Sequence, residues 1–431
     1  MQDATAILDA FERTGWKNND PMAQTLQLRL EDPKALGELV AQSLDRPLDS
    51  ATFIDAALDL MDDDTYAATV ALAWRRAMQG IRSDILSGVL DSAALQYPDV
   101  FSGHWDQLLA AAHTGEGGPE YLEGHAWRAL DAATRERWRA GLEPDTHEGT
   151  LGRQRAIALL RSRQPEDVSH ALSRLFPDAL DPAATSWLML AGYARHAHGL
   201  RSLHTEYPLH IGFSDAQRKH MQAGQPAWRR DIHKAHATWN AAAPAIAQAR
   251  MGGVLSQTCG LCHAPLHRLL SVSDPTKAGI ACDTPIEFAT CLSCQGWESD
   301  GPMFYRHGAD GVTTAHPIQQ RDTPLTPDFM ADALLEADLQ LFAAPARWTW
   351  QDWGESNGRQ NLSRVGGPPS WVQSADYPDC PDCQQDMAFV MQLDSGLPQA
   401  DGGEWLWGSG GCNYTFWCAD CRVSGHLWQC T

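Results

Sequence analysis

The sequence predicts an α+β protein: an N-terminal all-α helical array followed by a duplicated, zinc-stapled antiparallel β domain. Three observations carry this. Residues 1–200 hold no cysteine and place apolar side chains at helical spacing. From Met251 onward the chain breaks into short apolar runs punctuated by Gly and Pro, and holds nine of the 17 tryptophans. Eight of the 11 cysteines fall in CxxC pairs, all in this second half.

With 431 residues the chain is long enough for two or three domains with their own cores. A hydrophobic fraction of 43% with 20% charged residues is that of a folded protein. The expected organisation is a helical domain over 1–200 and a β-rich domain over 201–431. The helical domain is solenoid-like if its helices stack in pairs, although no fixed repeat period is visible. The β-rich domain divides into two zinc-ribbon-like halves, 251–297 and 365–431, with a helical insertion at about 326–343.

The helices follow from local signals. Ser50 is placed to cap a helix carrying Phe53, Ile54, Ala57, Leu58 and Met61. A second runs from Tyr66 to about Ile81, with Val70, Leu72, Trp74 and Met78. Pro165, Glu166 and Asp167 open a third, with Val168, Ala171, Leu172, Leu175 and Phe176 on one face. Asp181-Pro182 opens a fourth through Trp187, Leu188, Leu190 and Tyr193, ending near Gly199. That puts His196 and His198 at a helix C-terminus, where a partly positive ring suits the dipole better than a metal would.

Residues 201–250 hold seven basic and three acidic residues inside an acidic chain. Arg218, Lys219, Arg229 and Arg230 either bind an anion or neutralise the acidic regions on either side. His233 and His236 could share a helix face, but no third metal ligand lies near them in sequence. Further on, Thr326-Pro327 opens a helix through Phe342, with Met330, Leu334, Ala337 and Leu341 on one face. Asp328, Asp332 and Glu336 follow at i,i+4, either as a solvated face or as a contact for a basic partner.

An internal repeat is carried by the cysteines. The first half reads Gly252-Gly253, Cys259/Cys262, Leu266 to Val272, Asp274, Phe288, Cys291/Cys294. The second reads Gly366-Gly367, Cys380/Cys383, Met387 to Leu393, Asp394, Phe416, Cys418/Cys421. The spacers between the CxxC pairs are 28 and 34 residues. A CxxC on a tight turn presents two thiolates to one metal, and two such knuckles complete a tetrahedral site. The expected cofactors are therefore two structural Zn²⁺ ions, one on Cys259, Cys262, Cys291 and Cys294, the other on Cys380, Cys383, Cys418 and Cys421. Pairing within each half is assumed, and exchange between halves is left open. Cys282, His263 or His267 could replace a ligand, whereas Cys412 and Cys430 read as apolar core cysteines.

Charge and missing motifs restrict the function. The net charge is -21, which repels phosphate backbones and favours a basic protein as partner over nucleic acid. No run of apolar residues is long enough for a membrane span, and the acidic N-terminus is not a signal peptide, so the expected location is cytoplasmic. There is no HExxH, GxSxG, P-loop or dinucleotide glycine fingerprint, and no residue is assigned as catalytic.

The second half resembles the YwqG-like family, which is related to the eukaryotic programmed cell death protein two and its ribosome-biogenesis counterpart. The resemblance rests on VGGPPSW with Gly366, Gly367, Pro368 and Trp371, on MAFVMQLDS with Phe389, Gln392, Leu393 and Asp394, and on WGSGGCNYTF with Trp407, Gly408, Gly410 and Phe416. The CxxC pairs are more similar to the eukaryotic branch. The resemblance implies a binding module: a chaperone for a ribosomal-type client, or an immunity protein neutralising a toxin. The expected function is therefore a non-enzymatic, zinc-stabilised protein-binding protein. A metal-dependent enzyme and a nucleic-acid-binding zinc-ribbon protein are the alternatives. Partner contacts are expected from Trp371, Trp405 and Trp407 around the Gly408–Gly411 turn, and from Asp328, Asp332 and Glu336. Trp348, Trp350 and Trp353 are further anchors unless they belong to the core.

Overall fold

In the computed structural model, the described residues are 3–17, 20–48, 52–114, 125–142, 150–176, 178, 181–240, 243–299, 301–356 and 358–431. Ser50 lies outside them. The chain divides into two compact units, Met1–Leu200 and Arg201–Thr431.

The first unit is helical. Many of its helices are opened by a side-chain cap. The Asp3, Asp20, Asp62, Ser83, Asp131, Thr150 and Asp181 side chains each accept a hydrogen bond from a first-turn backbone N–H. The helix bearing Phe53 and Ile54 spans Thr52–Leu60, the next Asp63–Met78, and the one opened by Pro165 spans Pro165–Leu175. A row of rings, Trp74, Phe101, Trp105, Trp127 and Trp138, runs through this core with successive centroids 5.1–6.5 Å apart. Asp167 is fully buried and held by Arg135 at 2.8 Å and Arg139 at 3.1 Å.

The helix opened by Asp181-Pro182 stops at Leu190, not near Gly199. Gly192 takes φ +83°, and the chain turns into a hairpin of β1 (Tyr193–His196) and β2 (Gly199–Ser202). His196 and His198 are thus exposed hairpin residues with rings 6.1 Å apart, and they do not sit at the end of a helix.

The second unit is an antiparallel, nearly closed sheet. Its strands are β3 (Leu209–Gly212), β4 (Ala247–Met251), β5 (Val254–Thr258), β6 (Pro265–Val272), β7 (Ile286–Thr290), β8 (Met303–His307), β9 (Thr313–Ala315) and β10 (Ala337–Ala343). Then come β11 (Arg364–Val365), β12 (Ala388–Asp394), the small hairpin β13 (Leu397–Pro398) and β14 (Glu404–Trp405), β15 (Cys412–Cys418) and β16 (Val423–Gln429). The main sheet runs β5-β6-β4-β10-β3-β11-β12-β15-β16-β8-β9, with β7 on the other side of β6. Two helices, Asp215–Met221 and Ala227–Ala235, interrupt it.

The repeat is visible in register. His267 of β6 stands opposite Thr290, just before the second Cys pair, and Ala388 of β12 stands opposite Trp417 in the same relation. Each ladder carries a β-bulge one step on, between Arg268 and Leu270 and between Phe389 and Met391. Both Gly-Gly pairs sit in the left-handed region, at +80° and +76° for Gly252 and Gly253 and +70° and +71° for Gly366 and Gly367. With this register Asp394 falls opposite Ser273 in the repeat, so Asp274 is not its counterpart.

The expected helical insertion at 326–343 is a correction. Residues 337–343 are strand β10, with Leu339 and Leu341 buried and Asp338 and Gln340 exposed. The period is two rather than 3.6. β10 hydrogen-bonds to β3 on one side and β4 on the other, so it satisfies two sheet edges that a helix would leave open. Asp328, Asp332 and Glu336 therefore do not share a helix face.

Candidate metal centres and the face beside them

Each half builds its own four-cysteine cluster. Within each, the four sulfurs lie within 4.8 Å of one another. Cys262 and Cys291 are 3.7 Å apart, and so are Cys383 and Cys418. A tetrahedral zinc with bonds of about 2.3 Å would place its sulfurs about 3.8 Å apart, so both sets fit a single metal ion. Ligands are not exchanged between halves.

The first knuckle of each site is built locally and identically. The N–H of Cys259 donates to Ala264 at 2.8 Å, and that of Cys380 to Gln385 at 2.9 Å. The N–H groups of His263 and Gln384 return to the carbonyls of Cys259 and Cys380 at 3.1 and 2.8 Å. Closing so tight a turn sends His263 to φ +61° and Gln384 to φ +58°.

Sulfur protonation shows why a cation belongs here. Contacts from Cys291 and Cys294 pull the Cys259 thiol far down, while the Cys259 contact pushes both of theirs up. Burial, and then Cys383, push Cys421 up to about 11. Four crowded sulfurs cannot all ionise unless a positive ion offsets their repulsion. The other candidate ligands are engaged elsewhere. His263 Nε2 contacts the Arg321 carbonyl at 2.9 Å, His267 Nε2 contacts the Ala331 carbonyl at 3.1 Å, and Cys282 Sγ donates to the Thr284 carbonyl at 3.3 Å. Cys412 is buried next to Asp394, whereas Cys430 is only half-buried.

The first cluster carries a surface. Two residues beyond Cys294, Gly296 takes φ +75° with the Trp428 indole where a β-carbon would stand. Trp428 donates its indole N–H to the Gln295 carbonyl at 2.9 Å. This turn projects Trp297, which is 53% exposed. The Trp297 ring meets Phe329 at 5.8 Å, and Phe329 stacks on Trp405 at 6.1 Å. Met330 and Leu406, the chain neighbours of Phe329 and Trp405, are 63% and 40% exposed. The segment under Phe329 is tied to the knuckle, because Ser293, between Cys291 and Cys294, accepts from the Ala331 N–H at 3.0 Å. Carboxylates lie beside the two rings: Glu298, directly after Trp297, accepts from the N–H of Asp328, directly before Phe329, at 3.0 Å.

The expected contact residues are divided by this geometry. Trp407 is fully buried and Trp405 is 7% exposed, so both support the face from beneath. Trp371 is half-buried against Tyr414 and Tyr377, at 4.7 and 5.2 Å. Trp348 is buried against His236, while Trp350 and Trp353 are half-buried. Glu336 pairs with Arg250 and lies 3.7 Å from Arg268, so its charge is already partnered. His233 stacks on Trp239 and His236 bonds Thr238, so the two do not form a metal site. Trp297, Phe329, Met330 and Leu406 were not anticipated. An aromatic residue placed directly after a glycine that closes a CxxC turn was the available signal.

The comparisons with known proteins add little to this geometry. Over 188 residues, 41% of this chain, it is 28% identical to a Salmonella typhimurium protein described as the uncharacterized protein YpfL. The match covers 39% of that protein. The chain thus spans well under half the length of this relative. No family model matches the chain, and no solved structure matches it. No described helix is long and apolar enough to cross a membrane.

Proposed function

We propose that this is a non-enzymatic, zinc-stapled protein-binding protein whose docking face is the ridge of Trp297, Phe329, Met330 and Leu406. The observation that carries this is that large apolar side chains stand exposed on a rigid knuckle, edged by carboxylates. A contiguous exposed apolar patch with a charged rim is the usual signature of a protein contact. Its occupant is a basic protein, because the rim is acidic and the chain carries -21, which speeds the approach of a positive partner. The resemblance to the YwqG-like family narrows the role to an immunity protein or a dedicated chaperone. Zinc is the metal of choice for four thiolates without an open coordination position, which makes both centres structural.

The test is affinity capture from the native host with the full chain and with Trp297→Ala and Met330→Glu. A basic protein retained by the native chain and lost with either variant is expected. If no protein is enriched, or if the variants retain it fully while folding normally, the reading fails. The gene beside this one then separates the two roles, since a toxin gene there identifies immunity.

A further inference from the structure

The two cysteine centres differ in what surrounds their sulfurs. A CxxC knuckle has two residues between its ligands, so each centre has four such positions. In the first they are Gly260, Leu261, Leu292 and Ser293, and all four are buried. The backbone of 321–325 also crosses this centre, with the Arg321 and Leu325 N–H groups donating to the Gly260 and Leu261 carbonyls at 2.9 and 3.0 Å. Leu325 packs against the apolar cluster that includes Cys259, Cys291 and Cys294. In the second centre the four positions are Pro381, Asp382, Ala419 and Asp420. Pro381 is half-buried and the other three are exposed. Two of its ligands, Cys383 and Cys421, are themselves half-buried. Cys383 stands between exposed Asp382 and Gln384, and Cys421 directly follows exposed Asp420. In the first centre only Cys262 is half-buried, and it follows buried Leu261.

We infer that Cys383 and Cys421 form a redox modification site, where a hydroperoxide joins them as a disulfide and empties the second centre while the first keeps its metal. This rests on the reading of both centres as zinc sites. A metal-bound cysteine is a thiolate, the nucleophilic form, so the reach of the oxidant decides which sulfur reacts. The Cys421 thiolate attacks one oxygen of the hydroperoxide, the O–O bond breaks, and Cys421 becomes a sulfenic acid as hydroxide leaves. The Cys383 thiolate then attacks that sulfur, forms the S–S bond and expels a second hydroxide. Each thiolate has given up one electron, and the peroxide has taken both. The four sulfurs lie within 4.8 Å of one another, and the exposed positions Ala419 and Asp420 can shift to let two of them close to about 2.05 Å. Only Cys380 and Cys418 then remain as thiolates, too few to hold the metal. The same chemistry at the first centre would have to move residues that are buried and strapped. The Trp297 ridge stands on that first centre, so docking there persists while the second knuckle opens.

The test uses the full chain loaded with zinc, in the presence of the zinc-binding dye pyridylazoresorcinol. Metal analysis comes first, and two zinc ions per chain are expected. Hydrogen peroxide should then release one ion about tenfold faster than the other, because access governs the rate. Peptide mapping at the end of the fast phase should find Cys383 joined to Cys421, with Cys259, Cys262, Cys291 and Cys294 still reduced. Dithiothreitol with added zinc should restore the lost ion. Leu325→Ala, which thins the cover of the first centre, should quicken the slow phase several-fold and leave the fast phase unchanged. Release of both ions together, a first disulfide within the first centre, or no release at all would overturn the inference and leave the zinc reading standing. A chain that holds no zinc before peroxide is added would overturn both.

Discussion

The two cysteine clusters share a knuckle, a bulge and a ladder register, yet they are embedded differently. In the first, three of the four cysteines are buried, and the chain after β9 lies over the knuckle. The N–H groups of Arg321 and Leu325 donate to the carbonyls of Gly260 and Leu261 at 2.9 and 3.0 Å. Tyr305 is buried beneath it and accepts the Cys291 N–H at 3.0 Å. In the second, Cys383 and Cys421 are only half-buried, and the cover is polar: Asp382 holds Arg306 at 2.7 Å and His316 at 3.1 Å. The difference teaches that one repeated unit serves two ends. The first cluster supports the ridge around Trp297, and the second closes the turn between β15 and β16, two buried strands inside the sheet.

The sharpest way to break this comparison is to delete one ligand at a time. Cys291→Ser should release one metal and cost on the order of 10 kcal/mol of metal-coupled folding energy, enough to unfold the β unit. Cys421→Ser should also lose one metal but leave a folded protein that still binds through Trp297. Metal content and tryptophan fluorescence check both, and equal damage from the two changes would contradict the asymmetry.

A second effect arises inside the sheet, on the pairing of β8 with β16. His307 and His426 are buried there, joined through Ser424 Oγ at 2.9 and 3.1 Å. Burial drives both rings down to about 3, with Arg422 adding to this for His307 and His307 for His426. Their folded values lie below the unfolded value of 6.5, so the stability they contribute is complete above pH 6.5. It is lost as pH falls from there toward about 3, by about 2 kcal/mol for each ring at pH 5. Urea melts at pH 7.5 and pH 5 should show this loss, and His426→Gln should reduce the pH dependence.

Smaller changes sharpen the picture. Gly296→Ala meets both an unfavourable φ and the Trp428 indole, and should cost about 1–3 kcal/mol and displace Trp297. Thermal melting and partner capture would read both effects. Asp382→Asn removes the polar cover of the second site. Because Arg306 is half exposed, the cost should be under about 1 kcal/mol and should shrink further in high salt.

The legible parts of this fold are those decided within a few residues. Each knuckle closes on hydrogen bonds spanning up to five positions, and a helix entry signal acts over two or three, so the eight clustered cysteines and the helix starts at Pro165 and Pro182 could be read directly. Residues 326–343 could not. Met330, Leu334, Ala337 and Leu341 fit a helical period, whereas Leu339 and Leu341 fit a strand. The choice fell to β3 and β4, which each needed a hydrogen-bonded neighbour. The same limit hid the exposure of Trp297 and the burial of Trp407, since composition does not say which face of a turn meets solvent.

By itself, then, the sequence determined two β units each gathered on four thiols, behind a helical half whose caps are written locally. Which strand fills the middle of the sheet, which tryptophans reach water, and where Asp394 and Glu404 meet Arg229 were decided only by tertiary structure. These depend on contacts between segments more than a hundred residues apart, such as Asn361 with Thr238 and Trp428 with Gln295. No local pattern encodes such pairings, because their free energy exists only once both partners are buried together.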